Sequence, residues 1–169
     1  MIIILFGLSG SGKTYIGNIL AKYFDFFHFD ADQLLTDEMN RYIAENKSFN
    51  IDMLEILTQL IINKISHLKE IYPRLVISQG LYRNKNRQTI ERYFVNNNII
   101  FAQITATDEI ISKRLRLRKN KVTCDYANNI KQNFEPMKKS IIINNHYHHN
   151  TSGLIATLRQ QLFKTNTMT

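Results

Sequence analysis

The first twenty residues constrain the fold of this chain more than any other segment. Residues 2–6 are a run of five apolar side chains, which predicts a buried β-strand. The run leads directly into the pattern G-x-x-x-x-G-K-[ST], here Gly7-Leu8-Ser9-Gly10-Ser11-Gly12-Lys13-Thr14. Residues 15–22 then have the apolar spacing of a helix. A strand, a glycine-rich loop and a helix in this order are the context in which the pattern forms a phosphate-binding loop.

The residue types of this loop are suited to holding phosphate groups. Glycine lets the backbone approach a phosphate closely, and successive N–H groups then point toward the anion. The N-terminus of the following helix adds the positive end of its dipole. We expect Lys13 to reach the β- and γ-phosphates and the Thr14 hydroxyl to ligate Mg²⁺. The residues expected to contact the nucleotide are Gly7, Ser9, Gly10, Ser11, Gly12, Lys13 and Thr14.

Length and composition indicate one globular domain over residues 1–169, with 44% apolar and 21% charged residues. No apolar stretch approaches the ~20 residues that span a bilayer. The apolar N-terminus lacks a basic leader, which favours a strand over a signal peptide. The single cysteine, Cys124, fits a reducing compartment. We therefore expect a cytoplasmic protein without a membrane partner, and the net charge of +8 favours anionic ligands.

Apolar runs and helical periodicities alternate along the chain, as a parallel sheet with crossover helices requires. Further strands are predicted at residues 26–29, 74–78, 99–104 and 140–143. Helices are predicted at residues 33–45, 51–69, 85–95, 108–118 and 152–163, with one more that ends near residue 134. The predicted fold class is α/β, a three-layer α/β/α sandwich around a five-stranded parallel sheet. Residues 164–169 are predicted to be a frayed tail.

Two aspartates, Asp30 and Asp32, follow the predicted second strand. In an open α/β sheet, ligands bind beyond the carboxyl ends of the strands, where the phosphate loop also lies. Asp30 is therefore a candidate Mg²⁺ ligand together with Thr14, and Asp32 is a candidate base for a substrate hydroxyl. The alternative is that the aspartates only cap the helix that follows them. A cap and a base are compatible.

A basic segment occupies residues 113–121, where six of nine residues are lysine or arginine. Arg114 and Arg118 are four residues apart, so they share one face of a helix. Arginines that close onto a transferring phosphoryl group stabilise its negative charge, and the closure excludes water. We therefore expect a lid at about residues 116–134. Arg114, just before it, and Arg118, within it, are expected to bind the nucleotide, and Arg118 also to assist catalysis.

These motifs together resemble the shikimate kinase and gluconate kinase group of small phosphate-loop kinases, within the nucleoside-monophosphate-kinase-like superfamily. The segments that carry the resemblance are the phosphate loop, Leu20-Ala21, Phe29-Asp30-Ala31-Asp32, Ser78-Gln79-Gly80-Leu81 and Arg114-Leu115-Arg116-Leu117-Arg118-Lys119. The resemblance implies a kinase-type phosphate-loop fold with a small helical lid, ATP and Mg²⁺ as cofactors, and a hydroxyl of a small molecule as acceptor.

The same resemblance suggests where the acceptor binds. It assigns residues 33–70 to the substrate side, with Asp32, Gly80, and Arg83 or Arg87 as binding residues. A guanidinium matches the geometry of a carboxylate, so a sugar acid or a similar acid is the leading acceptor. The sequence departs from the group in several places. Gln79-Gly80 stands where shikimate kinases have three glycines, and Lys121-Val122 where gluconate kinases have His-Phe. It also lacks the acidic, tryptophan-containing segment of gluconate kinases and the R-P-L of the shikimate kinase lid.

Two other functions remain open from the sequence. A nucleoside or nucleoside monophosphate kinase uses the same loop and lid, and would be favoured if Phe49, Tyr82 and Tyr42 converge beyond Asp32. An ATP-binding protein that acts on nucleic acid is permitted by the positive charge but ranks last, because the basic segment lacks interleaved aromatic residues. The partners we expect are thus a small-molecule acceptor and no nucleic acid, in a monomer or a homodimer.

Overall fold

Five strands form one parallel sheet in the part of the chain that the structure describes. The computed structural model describes residues 1–117, 122–146 and 151–163. The strands are β1 (Ile2–Phe6), β2 (Phe27–Asp30), β3 (Leu75–Ser78), β4 (Ile99–Thr105) and β5 (Ile141–Asn144). Their order in the sheet is β2-β3-β1-β4-β5, and every neighbouring pair is parallel.

Helices connect the strands, as parallel pairing requires. They are α1 (Lys13–Phe24), α2 (Asp37–Ala44), α3 (Ile51–Leu68), α4 (Asn84–Tyr93), α5 (Asp108–Leu117), α6 (Cys124–Gln132) and α7 (Thr151–Phe163), with a 3₁₀ turn at Ala31–Leu34. The predicted fold class is confirmed. None of the described helices is both long and apolar enough to cross a membrane.

The central strand β1 shows why the sheet is covered on both faces. Its side chains alternate between two separate cores: Ile4 and Phe6 pack in one, and Ile3 and Leu5 in the other. Residues of α3 and α4 complete the first core, and residues of α1 and α7 complete the second. A strand with both faces buried needs a continuous apolar run, because neither face can be polar.

The predicted helix at residues 33–45 is interrupted in the structure. The chain makes the 3₁₀ turn first, and α2 begins afresh after Thr36, whose hydroxyl accepts a hydrogen bond from the Met39 N–H at 3.2 Å. A Thr that caps the backbone in this way favours the start of a helix over its interior. Asp32 thus lies within this short turn, whereas the prediction had it just before the helix.

Glu135, which follows α6, bonds to three residues in the segment between β3 and α4 and at the start of α4. Glu135 accepts a 2.7 Å hydrogen bond from the Asn84 N–H and pairs with Arg83 at 2.9 Å. Its own N–H donates to the Tyr82 carbonyl at 2.9 Å. The hydrogen bond from Asn84, assisted by Arg83, lowers the pKa of the Glu135 carboxyl. Glu135 therefore serves as the cap of α4, whose preceding residue gives no side-chain cap.

We expect Glu135→Ala to lower the free energy of unfolding by about 1–2 kcal/mol, because α4 loses its cap and Arg83 its partner. Denaturant unfolding at pH 7 measures this. Because folding lowers the Glu135 pKa, its contribution is present above the ordinary value of 4.5 and disappears as the pH falls through the folded value.

Glu55→Ala is the matched control for this experiment. Glu55 pairs with Lys85 at the same 2.9 Å distance but on the surface, where such pairs contribute little. Equal destabilisation by the two substitutions would show that Glu135 contributes no more than a surface ion pair.

Candidate functional site

The phosphate loop connects β1 to α1. Its carbonyl oxygens accept hydrogen bonds from side chains that support its conformation. Gly10 and Gly12 have φ angles of 84° and 98°, in the left-handed region that favours glycine. A side chain at Gly12 would also collide with the Asn145 amide. The Lys13 ammonium donates to the carbonyls of Gly7 and Leu8, both at 3.0 Å, and so lies across the start of the loop.

The Arg114 side chain donates hydrogen bonds to carbonyl oxygens of the same loop. Its guanidinium donates to Gly10 and Ser11 at 2.9 and 2.8 Å, and to the Asn145 carbonyl at 2.9 Å. The Asn145 amide adds a 2.9 Å bond to the Ser11 carbonyl. Arg114 thus joins α5, the loop and the segment after β5. A direct contact from Arg114 to the nucleotide stays a prediction.

Thr14 and Asp30 meet at the start of α1 and the end of β2. The Thr14 hydroxyl donates to one Asp30 carboxylate oxygen at 2.8 Å, and the other oxygen accepts the Asp32 N–H at 3.2 Å. Asp30 therefore caps the 3₁₀ turn and also faces Thr14. The pair fits Mg²⁺, which prefers oxygen ligands and takes one or two from the protein, with phosphate oxygens completing its shell.

A cavity extends from the phosphate loop toward α3 and α6. Gly7, Ser9 and Lys13 line one end, and Asp32 and Gly80 lie beside them. The structure therefore brings together the phosphate loop, the candidate base Asp32 and Gly80, which the sequence assigned to substrate binding. The N–H of Gly7 donates to the Gly80 carbonyl at 3.2 Å, which ties the two loops to one another.

The far end of the cavity is largely apolar and aromatic. Phe49, Tyr82 and Tyr126 line it, whereas Tyr42 is not among the described lining residues. Burial, together with Tyr82 and the Asp32 charge, raises the pKa of the Tyr126 phenol, and burial raises that of Tyr82. Both phenols therefore keep their protons at neutral pH and can donate hydrogen bonds within the cavity.

The two arginines assigned to an acidic acceptor are engaged elsewhere. Arg83 pairs with Glu135 and donates to the Asn133 side chain at 3.1 Å. Arg87 is fully buried, donates to the carbonyls of Leu81 and Glu135, and lies 4.6 Å from the centre of the Phe6 ring. Burial lowers the Arg87 pKa to about 10, so it stays charged at neutral pH. Neither arginine lines the described cavity.

Of the other predicted site residues, all but Arg118 lie in the part of the chain that the structure describes. The loop residues, Asp30, Asp32 and Gly80 lie at one edge of the sheet, whereas Arg118 falls within residues 118–121, outside the described part of the lid. The sequence prediction omitted Gln79 and Tyr126, which both line the cavity. Gln79 could have been found by its place directly after β3, which matches the place of the aspartates after β2. Tyr126 gave no comparable signal.

The family model described as shikimate kinase matches residues 9–153, which is most of the chain. The chain belongs to the shikimate kinase family. This confirms the predicted kinase group and makes ATP use a property expected of the family. Mg²⁺ and the acceptor are not decided by membership alone.

Similar proteins include two named as probable gluconokinases and one solved structure named as a sugar kinase. A probable gluconokinase from Dictyostelium discoideum is 26% identical over 71% of this chain, a match that spans 62% of that protein. A probable gluconokinase from Xenopus tropicalis is 29% identical over 70% of each chain. The crystal structure of a sugar kinase from Janibacter sp. HTCC2649 has a TM-score of 0.81 at 15% identity, over 95% of this chain and 93% of that one. At that identity the likeness shows the fold.

We expect Arg114→Lys to weaken MgATP binding about tenfold, or about 1.4 kcal/mol. A lysine cannot donate to three carbonyls in one plane as a guanidinium does, so the loop would lose part of its support. Isothermal titration calorimetry measures the dissociation constant. Arg116→Lys is the control, because Arg116 is exposed on the same helix. Unchanged affinity in the Arg114 variant would mean that the loop holds its shape without this brace.

Proposed function

We propose that this chain transfers the γ-phosphate of ATP to a hydroxyl group of a small polar metabolite. The observation that carries the proposal is that Asp32 lines the same cavity as Lys13 and the phosphate loop. A carboxylate within reach of both a phosphate loop and a small-molecule cavity is the arrangement that hydroxyl phosphorylation needs.

Each residue then has a distinct task. Loop N–H groups and Lys13 hold the phosphates, while Thr14 and Asp30 hold Mg²⁺, directly or through water. MgATP supplies the phosphoryl group and, through the metal, neutralises part of its charge. Asp32 orients the acceptor hydroxyl and accepts its proton as the oxygen attacks phosphorus. Arg118, in the lid, stabilises the charge on the transferring group.

The leading acceptor is a sugar acid or a similar hydroxy acid. The support is the family and the two relatives named as probable gluconokinases. Because Arg83 and Arg87 are occupied by the Glu135 segment, this hypothesis now needs another cation for the acid group. We propose the basic residues of the lid segment, Arg118, Lys119 and Lys121, for this role on the ground of their charge alone.

A second candidate acceptor is a nucleoside. Phe49 and Tyr82, two of the three aromatic residues whose convergence would favour this function, line the same cavity as Asp32. Aromatic rings offer stacking surfaces to a planar base.

We also propose that the protein is cytoplasmic, that it acts as a monomer or a homodimer, and that it does not bind nucleic acid.

An ATP-consumption screen tests the proposed function. We expect wild-type protein with MgATP to consume ATP when one acceptor class is present, in a panel of sugar acids, shikimate, neutral sugars, nucleosides and nucleoside monophosphates. Lys13→Ala should abolish the signal, because the phosphates lose their cation, and it serves as the blank. A hit among acids supports the leading acceptor, and a hit confined to nucleosides supports the second. Silence across the panel would contradict the proposal.

Asp32→Asn tests the proposed base. We expect kcat for the acceptor to fall by about 10²-fold or more, because asparagine cannot accept the proton. The dissociation constant for MgATP should stay close to that of the wild type, since Asp32 lies on the acceptor side. Steady-state kinetics with calorimetry as the binding control measures both. Transfer at the wild-type rate would remove Asp32 from the mechanism.

A further inference from the structure

Gln79 contacts the candidate base directly. It follows β3, is 7% exposed, and donates from its side-chain nitrogen to an Asp32 carboxylate oxygen at 2.9 Å. A hydrogen bond from an amide to a carboxylate is stronger than one between neutral groups.

The orientation of the Gln79 amide is fixed by its other end. The side-chain oxygen accepts a hydrogen bond from the N–H of Gly80, the next residue. A flipped amide would place its NH₂ group against that N–H and its oxygen against the Asp32 carboxylate. Both contacts would be repulsive, so only one orientation satisfies the donors and acceptors.

The backbone around Gln79 is in turn anchored to the phosphate loop. The Gln79 N–H donates to the Leu5 carbonyl at 3.0 Å, and the Gly80 carbonyl accepts the Gly7 N–H at 3.2 Å. A short chain of bonded groups therefore links the start of the phosphate loop to the Asp32 carboxylate. The position of the base is thereby set relative to the phosphates.

We propose that Gln79 is the positioning residue for Asp32, fixing the rotation of its carboxylate toward the acceptor hydroxyl. The inference rests on the proposed function, since it concerns the base of that reaction. Gln79 acts through Asp32 rather than on the phosphate. The ionisable groups around this carboxylate are Lys13 on the loop, Tyr82 and Tyr126 in the cavity, and Asp30 two residues earlier.

The first test compares the Gln79 side-chain amide signals by ¹⁵N NMR between the wild type and Asp32→Asn at one fixed, neutral pH. Gln59 is an internal control, because its amide donates at the same 2.9 Å to the neutral Asn63 side chain. We expect the Gln79 signals to move when the charged acceptor is replaced, and the Gln59 signals to stay in place. A Gln79 amide whose signals do not move in Asp32→Asn would overturn the proposal.

The second test separates positioning from packing. Gln79→Met keeps the volume and removes both polar ends, whereas Gln79→Glu keeps the acceptor for Gly80 and replaces the donor to Asp32 with a second carboxylate, which repels it. We expect both variants to lower kcat about tenfold or more with the acceptor found in the screen, at an unchanged KM for MgATP. Gln59→Met is the surface control and should leave kcat unchanged.

The outcomes of this test distinguish the two proposals. Wild-type kcat in either folded Gln79 variant would overturn the positioning role while leaving the kinase function intact. If Gln79→Met fails to fold, as thermal unfolding would show, Gln79→Glu decides alone. If the screen is silent for the wild type, the proposed function fails and the role of Gln79 in it fails too, even where NMR shows the contact to Asp32.

Discussion

The site depends on which groups donate hydrogen bonds to the carbonyl oxygens of the phosphate loop. A loop that turns its N–H groups toward an anion leaves its carbonyl oxygens on the opposite side, where burial requires donors. Arg114 and Asn145 supply them, from α5 and from the residue after β5. These donors come from distant parts of the chain, so two of the loop's carbonyl groups are satisfied by residues that follow β4 and β5.

The register of the sheet explains why the other site residues meet. Asp30 of β2 lies opposite Ser78 of β3, and Ser78 lies opposite Leu5 of β1. The residues that follow these strands therefore emerge side by side at one edge. This brings Gln79 to Asp32, and Gly80 to the start of the phosphate loop. The meeting of these residues is thus a consequence of the parallel pairing of β1, β2 and β3.

The sequence predicts the features that depend on local pattern. The five strands, the phosphate loop and the two aspartates at the end of β2 follow from apolar runs and from motif spacing; the second strand includes Asp30, one residue further than predicted. The places of Arg83 and Arg87 could not be predicted, because their partner Glu135 is about fifty residues away in sequence. Tyr126 depends on how α6 packs over the cavity, which no short pattern encodes.

Arg87 shows why lost activity is weak evidence for an acceptor contact. Its guanidinium is buried against Phe6 and bonded to the carbonyls of Leu81 and Glu135, so its removal leaves acceptors without donors inside the protein. Variants of Arg87 would lose activity together with stability. A cation that truly binds an acidic acceptor would instead raise the acceptor KM in a protein of unchanged stability.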